Sequence, residues 1–187
     1  KIIRKAEKND ALVLIDEAYS QFNGKTSIPL IRKYDNLFII QTFSKAFGLA
    51  GARLGYIISN ERNISIVKKI LSPYSVNIIA VACALAALKD LNYVKNYVNE
   101  VKKSKLMLYK ALKKLNISYC SSDANFIILK IGPKSRDFCN KLRQKGILVR
   151  DRSNDLLLKG CVRVTVGTIN QTKRLIKAIM EIKNENS

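Results

Sequence analysis

Between the apolar runs Leu37-Phe38-Ile39-Ile40 and Leu54 to Ser59 lies Thr42-Phe43-Ser44-Lys45-Ala46-Phe47-Gly48-Leu49-Ala50-Gly51-Ala52-Arg53, and no other stretch constrains the fold as much. Both flanking runs read as buried strands. Only about a dozen Gly-rich residues separate them, too few for a helical crossover, so the second is expected to return antiparallel. Upstream, Ala11-Leu12-Val13-Leu14-Ile15 is a continuous apolar run ending in Asp16, which reads as a strand buried on both faces of a parallel sheet. The carboxyl ends of these strands then deliver Asp16 and Thr42 to Lys45 to one edge, where open α/β sheets place their ligands.

The remaining chain alternates in the same manner. Lys1 to Glu7 fits the tail of a helix, and Asn23-Gly24 marks a turn. Ser27 is a candidate cap for a short helix near Pro29, and Asn60 for one running through Ile64, Val67 and Ile70 until Ser72-Pro73. Asn77 or Ser75 opens a helix so apolar on every side that it belongs deep in a core or at a subunit interface. A long helix follows with Val94, Val98, Val101, Leu108, Leu112 and Leu115 on one stripe, Lys105 being its charged member. Beyond Asn116 the elements shorten: strands at Ile117 to Cys120, Phe126 to Ile131, Ile147 to Arg150 and Val162 to Val166, a helix at Lys134 to Lys145 ended by Gly146, and a closing helix capped by Asn170. Strands and helices mixed on this scale suggest a small α+β domain covered on one face. The expected division is residues 1–90, part of a larger α/β domain, and residues 91–187, the long helix plus the small domain.

Composition removes several kinds of chemistry. The chain has no histidine, so a Ser-His-Asp, Cys-His or His-Glu-x-x-His site cannot be built from it. Cys83, Cys120, Cys139 and Cys161 are isolated and lack metal-ligand spacing, so reduced thiols and no metal site are expected. A net charge of +20 raises nucleic acid as a partner. The lysines are nevertheless scattered over helix faces, without an RNA-binding aromatic motif or zinc finger, and no nucleic-acid partner is expected. The longest apolar run, Ile78 to Leu88, is short of the ~18 residues of a membrane span. Lys1-Ile2-Ile3-Arg4-Lys5 leads into charged residues rather than a signal peptide, which makes a cytoplasmic protein with no membrane partner the expectation.

Without histidine, acid-base work falls to Lys, Tyr, Asp, Glu or a cofactor. Lys45 leaves a buried strand among hydroxyls and glycines with few neighbouring charges, a partly desolvated setting that makes an amine a usable nucleophile. Ser44, Thr42 and Arg53 offer the hydroxyl and guanidinium donors that hold a phosphate. An aldehyde cofactor needs this combination, together with an anion beside its ring nitrogen, a place Asp16 can fill, and a phenol such as Tyr19. Other readings stand beside these: Tyr19 as a loop aromatic on the sheet edge, Arg53 in an ion pair, Thr42 facing the core.

Taken together, Asp16-Glu17-Ala18-Tyr19, the block from Thr42 to Tyr56, Pro73-Tyr74-x-Val76-Asn77, Ala124-Asn125-Phe126, Gly146-Ile147-x-Val149-Arg150-Asp151 and Gly160-Cys161-x-Arg163-x-Thr165-x-Gly167-Thr168 resemble the histidinol-phosphate aminotransferases. These are pyridoxal-phosphate (PLP) transaminases of fold type I. The resemblance implies the later part of their mostly parallel large α/β domain followed by the small α+β domain. It also implies amino transfer between histidinol phosphate and 2-oxoglutarate in histidine biosynthesis, by a cytoplasmic homodimer. By position, Lys45 would be the Schiff-base residue and proton carrier, while Asp16, Tyr19, Thr42, Ser44 and Arg53 would hold PLP. Arg163 would take the donor's carboxylate, Arg150 the phosphate, and Asn125 would line the substrate side.

Family members carry a further stretch of comparable size before these segments, and the chain lacks an initiator Met. It is therefore expected to be the later half of such an enzyme and not a competent catalyst alone. Two rivals remain at this stage. One is another fold type I enzyme, an aromatic aminotransferase or a threonine-phosphate decarboxylase. The other is a non-enzymatic basic domain that binds nucleic acid.

Overall fold

The computed structural model describes residues 1–185, which divide into two compact units, Lys1–Val94 and the described residues from Lys95 onward. In the first unit a short helix, α1 (Ile2–Glu7), leads into strand β1 (Val13–Asp16) and then α2 (Ser20–Asn23). Strand β2 (Leu37–Thr42) lies parallel to β1 with Asp16 opposite Ile40, and β3 (Gly55–Ile58) returns antiparallel to β2 with Gly55 opposite Thr42. The return is the one expected from the short connection, which carries a single 3-10 turn at Ala50–Ala52. Gly55 has a backbone reason to be glycine: a Cβ there would stand 2.9 Å from the Gln41 carbonyl oxygen.

Helices α3 (Glu61–Lys68) and α4 (Ile78–Lys89) complete the unit, and both starts follow the expected chemistry. The Asn60 side chain accepts from Asn63 N at 2.9 Å, and Asn77 accepts from Ile79 N at 2.8 Å. Ser27 departs from expectation. Ile28–Arg32 is a 3-10 turn with no side-chain cap, and the Ser27 backbone N–H is spent on Glu17.

One expectation about burial is corrected and another is narrowed. β1 is not covered on both faces: Leu14 is 61% exposed, because β1 edges this three-stranded sheet and nothing of the unit packs on that side. Of the two places expected for α4, the deep core is ruled out, and a subunit interface is the one its exposed apolar face leaves open. Only Ala80 and Ala84 are buried, while Ile78 and Ile79 are 78% and 69% exposed.

α5 (Leu91–Lys114) bridges the sequence of the two units. Val98, Val101, Leu108 and Leu112 are buried along its stripe, with Leu115 just beyond its end only half-buried. Lys105 on that stripe is 9% exposed and donates to the Ser122 carbonyl at 2.8 Å. Burial pushes its ammonium pKa down, against the raising influence of Asp123.

The second unit holds strands β4 (Ser118–Cys120), β5 (Phe126–Lys130), β6 (Arg150–Asp151) and β7 (Cys161–Thr165), with α6 (Ser135–Gln144) and the closing α7 (Ile169–Asn184). The sheet is antiparallel in the order β4-β5-β7-β6. The β6 strand is shorter than Ile147 to Arg150 suggested and begins only at Arg150. Alternation divides the faces: Ile127, Leu129, Val162 and Val164 are buried with the stripes of α6 and α7, and Phe126, Ile128 and Arg163 point to the other, half-open side. Gly146 ends α6 with φ +71°, as expected of a glycine after a helix. α7 starts two residues earlier than an Asn170 cap requires. Thr168 is its cap, accepting from Gln171 N while the Gln171 side chain accepts from Thr168 N, a reciprocal pair that satisfies two backbone donors at once.

No helix among the described residues is long and apolar enough to cross a membrane.

Candidate active site

The parallel pairing of β1 with β2 brings the ends of both strands to one edge of the first sheet. Asp16 closes β1. One carboxylate oxygen accepts from Ala18 N at 2.9 Å, which turns the chain toward Tyr19, and the other oxygen has no partner among the described residues. Asp16 and Tyr19 line a common cavity of about 280 Å³ with Ser20, Asn23 and Thr26.

Lys45 reaches Tyr19 from β2's side: its Nζ stands 5.4 Å from the Tyr19 ring centroid, within the range of a cation–π contact. Half-buried in a strongly basic chain, it pairs with no carboxylate among the described residues. Thr42 and Ser44 are tied together, Ser44 N donating to Thr42 Oγ1 at 3.0 Å while Thr42 Oγ1 donates to the Leu54 carbonyl at 3.3 Å. Thr42 therefore spends its proton on the β3 connection, and the Ser44 hydroxyl stays available.

Arg53 stands apart from this group. It holds φ +52°, a left-handed conformation for a non-glycine residue, and Nη1 donates to the Ala50 carbonyl at 3.0 Å. It lines a separate cavity of about 570 Å³ with Gly51, Ser75 and Asn77.

Beneath the edge is a buried polar network to which the motifs had assigned no role. Glu17, 7% exposed, accepts from Thr26 Oγ1 (2.8 Å), Ser27 N (2.5 Å) and Gln41 Nε2 (2.9 Å). Gln41 in turn accepts from the Tyr56 hydroxyl at 2.6 Å, so the network crosses all three strands. Burial pushes the Glu17 pKa up, but hydrogen bonds from Ser27, Gln41 and Thr26 outweigh it and hold the carboxyl below its ordinary value. Burial and the charge of Glu17 raise the Tyr56 phenol. One signal was readable: Gln41 is the lone amide in the otherwise apolar run before Thr42.

In the second unit, Arg150 on β6 lies directly opposite Arg163 on β7. Cross-strand partners project to the same face, and like charges so placed repel. Neither guanidinium pairs with a carboxylate among the described residues. The Arg163 guanidinium carbon is instead 5.4 Å from the Phe126 ring centroid. Asn125 precedes β5, and its carbonyl accepts from Val166 N at 2.8 Å, which fixes the backbone beside this face.

The first unit thus offers an amine without a carboxylate partner against a phenol ring, a carboxylate with a free oxygen, and the Ser44 hydroxyl. A phosphorylated aldehyde with a basic ring nitrogen takes that set of groups. The second unit offers paired, uncompensated guanidinium groups on an open sheet face, which suits anions.

Residues 1–179 match the family described as Aminotransferase class I and II. The histidinol-phosphate aminotransferase of Christiangramia forsetii is 40% identical over 182 residues, covering 96% of this chain and 52% of the relative. Among solved structures, the histidinol-phosphate aminotransferase of Clostridium acetobutylicum superposes with a TM-score of 0.89 at 26% identity, covering 98% of this chain and 57% of that one. The enzyme of Sinorhizobium meliloti, solved in complex with pyridoxal-5'-phosphate, gives 0.86 at 26% identity over 100% of this chain and 53% of its own. The chain spans about half the length of the curated relatives it matches.

Proposed function

The chain belongs to the class I and II aminotransferases, and from that premise we propose that the protein carrying it transfers an amino group between histidinol phosphate and 2-oxoglutarate. In this reading residues 1–90 are the later part of the PLP-binding domain and residues 91–187 bring the small domain. Bound at the carboxyl edge of the first sheet, PLP supplies an electron sink beside the amine-bearing carbon of the substrate.

The chain's own residues do the rest. Lys45 Nζ would hold the cofactor's aldehyde end and, once displaced from it by the substrate's amine, would move the proton at the substrate's amine-bearing carbon. Asp16 sets its free carboxylate oxygen against the ring nitrogen and keeps that nitrogen protonated. Tyr19 positions the Lys45 ammonium with its ring face. Ser44, supported by Thr42, donates to the phosphate, and Arg53 would have to turn from the Ala50 carbonyl and its own cavity to join it. Arg163, steadied by the Phe126 ring, takes the donor's carboxylate, Arg150 takes the substrate phosphate, and Asn125 lines the substrate side. The protein works as a homodimer in the cytoplasm, with the exposed apolar face of α4 covered by the second copy.

The observation that supports a doubly anionic substrate over an aromatic amino acid is the register of Arg150 against Arg163. Two like charges held face to face are relieved by anions bound between and beside them. Steady-state kinetics with histidinol phosphate and with phenylalanine test this. Arg150→Met is expected to raise KM for histidinol phosphate by about 30-fold or more, the worth of a charge-assisted hydrogen bond, while leaving phenylalanine turnover within about twofold. Equal losses on both substrates, or none on either, would remove Arg150 from the phosphate site.

A further inference from the structure

In the second unit, α5 and α7 border a groove of about 660 Å³ unrelated to the residues above. Its floor is apolar: Met107, Ala111 and Leu115 from the α5 side, Ile176 and Met180 from α7. The chain has two methionines, and both are in this floor, with Met180 47% exposed. Methionine is the side chain that adapts to an incoming apolar surface, and solvent-facing methionines concentrate where proteins bind helices.

The rim is cationic on both sides. Lys110 and Lys114 stand one helical turn apart on α5, and Lys173 and Lys177 one turn apart on α7. None of these four is within ion-pair distance of a carboxylate among the described residues, although the charge of Lys177 reaches Glu181; the close ion pairs involve Lys141, Lys145 and Arg152 instead. Glu181, the one acidic residue lining the groove, is already held by Lys145 at 2.9 Å. The stretch from Lys173 to Asn184 runs about 16 Å, three turns of helix.

We propose that this groove docks an acidic amphipathic helix of a partner protein, its apolar stripe on the methionine floor and its carboxylates, one turn apart on each flank, facing the two lysine rows. The floor lacks the aromatic side chains on which nucleic-acid bases stack. A bilayer surface is the rival occupant of an apolar face rimmed with lysines, and competition by anionic vesicles separates the two. A groove with two parallel rows of like charge matches a rod with the opposite charge on both flanks, as in the flanking positions of coiled coils.

The test uses a fluorescent synthetic helix of about four turns with a Leu stripe flanked by Glu, and its counterpart with Gln in place of Glu. Fluorescence anisotropy near physiological salt is expected to show the Glu peptide binding at least about tenfold tighter than the Gln peptide. The double reversal Lys110→Glu/Lys173→Glu is expected to weaken it by a further tenfold or so, and Met180→Gln by about fivefold. Reversal of two exposed lysines of the first unit, Lys68→Glu/Lys69→Glu, matches the change in net charge and is expected to alter binding by less than about twofold. Equal weakening by both double reversals would reduce the attraction to overall charge and overturn the proposal. So would indifference to Met180→Gln, or anionic vesicles displacing the peptide through the same lysines.

Discussion

Glu17 is the residue on which the candidate cofactor edge rests without any proposed contact to a ligand. A buried carboxylate is costly unless its lone pairs are filled; Glu17 makes no ion pair among the described residues, and a hydroxyl, an amide and a backbone N–H fill them instead. Its folded pKa lies below the ordinary value, so the unfolded chain binds the proton more readily. The stabilisation is therefore complete above the unfolded value of about 4.3 and is lost as pH falls through the lower folded value. Glu17→Gln turns an amide donor toward groups that already donate, and is expected to cost about 2 kcal/mol near neutral pH. The variant's stability to urea should also fall less between pH 6 and 3 than the wild type's. An unchanged pH slope would show that the network does not hold the carboxylate ionised. Residue-scale chemistry was partly legible: the spacing of Asp16, Ser44 and Lys45 follows from strands that end together, but which side chain lies beneath them does not. Glu17 sits in the same short motif as Asp16, and only pairing with the distant Gln41 shows its task.

At the scale of elements, local chemistry was read correctly where a side chain bonds its own neighbours. Asn60 and Asn77 cap their helices through contacts two or three residues away, which a sequence displays in full. The start of α7 was misplaced because two polar residues two positions apart competed, and Thr168 prevailed over Asn170 by gaining the reciprocal bond from Gln171. Burial was harder to read. Apolar content states what β1 and α4 prefer, not which surface meets them. α4 presents Ile78, Ile79 and Leu85 outward, a cost of about 1.5 to 3 kcal/mol for each large side chain left in water. If a second copy covers that face, sedimentation velocity will show a dimer of the protein, and Ile79→Glu will shift it toward monomer. A monomeric wild type would leave the face to another surface.

Across the whole molecule, the two units carry complementary chemistry. The first gathers an amine, a carboxylate, a phenol and hydroxyls at a sheet edge, and the second sets two arginines on a sheet face. In the second sheet alternation of apolar and polar residues separates core from surface, whereas in the first the continuous apolar runs marked the strands without showing which face is covered. The excess positive charge was the least specific global feature: a net +20 invites a nucleic-acid reading, and lysines such as Lys68 and Lys69 stand exposed at the end of α3.

The account turns on one amine among many. Treating the protein with substoichiometric pyridoxal phosphate, reducing it with borohydride and mapping the digest by mass spectrometry compares Lys45 with every other lysine. The pyridoxyl mass is expected on the peptide carrying Lys45 and to be lost in Lys45→Ala. A label spread over surface lysines, or one that persists in Lys45→Ala, would contradict a cofactor site at this edge.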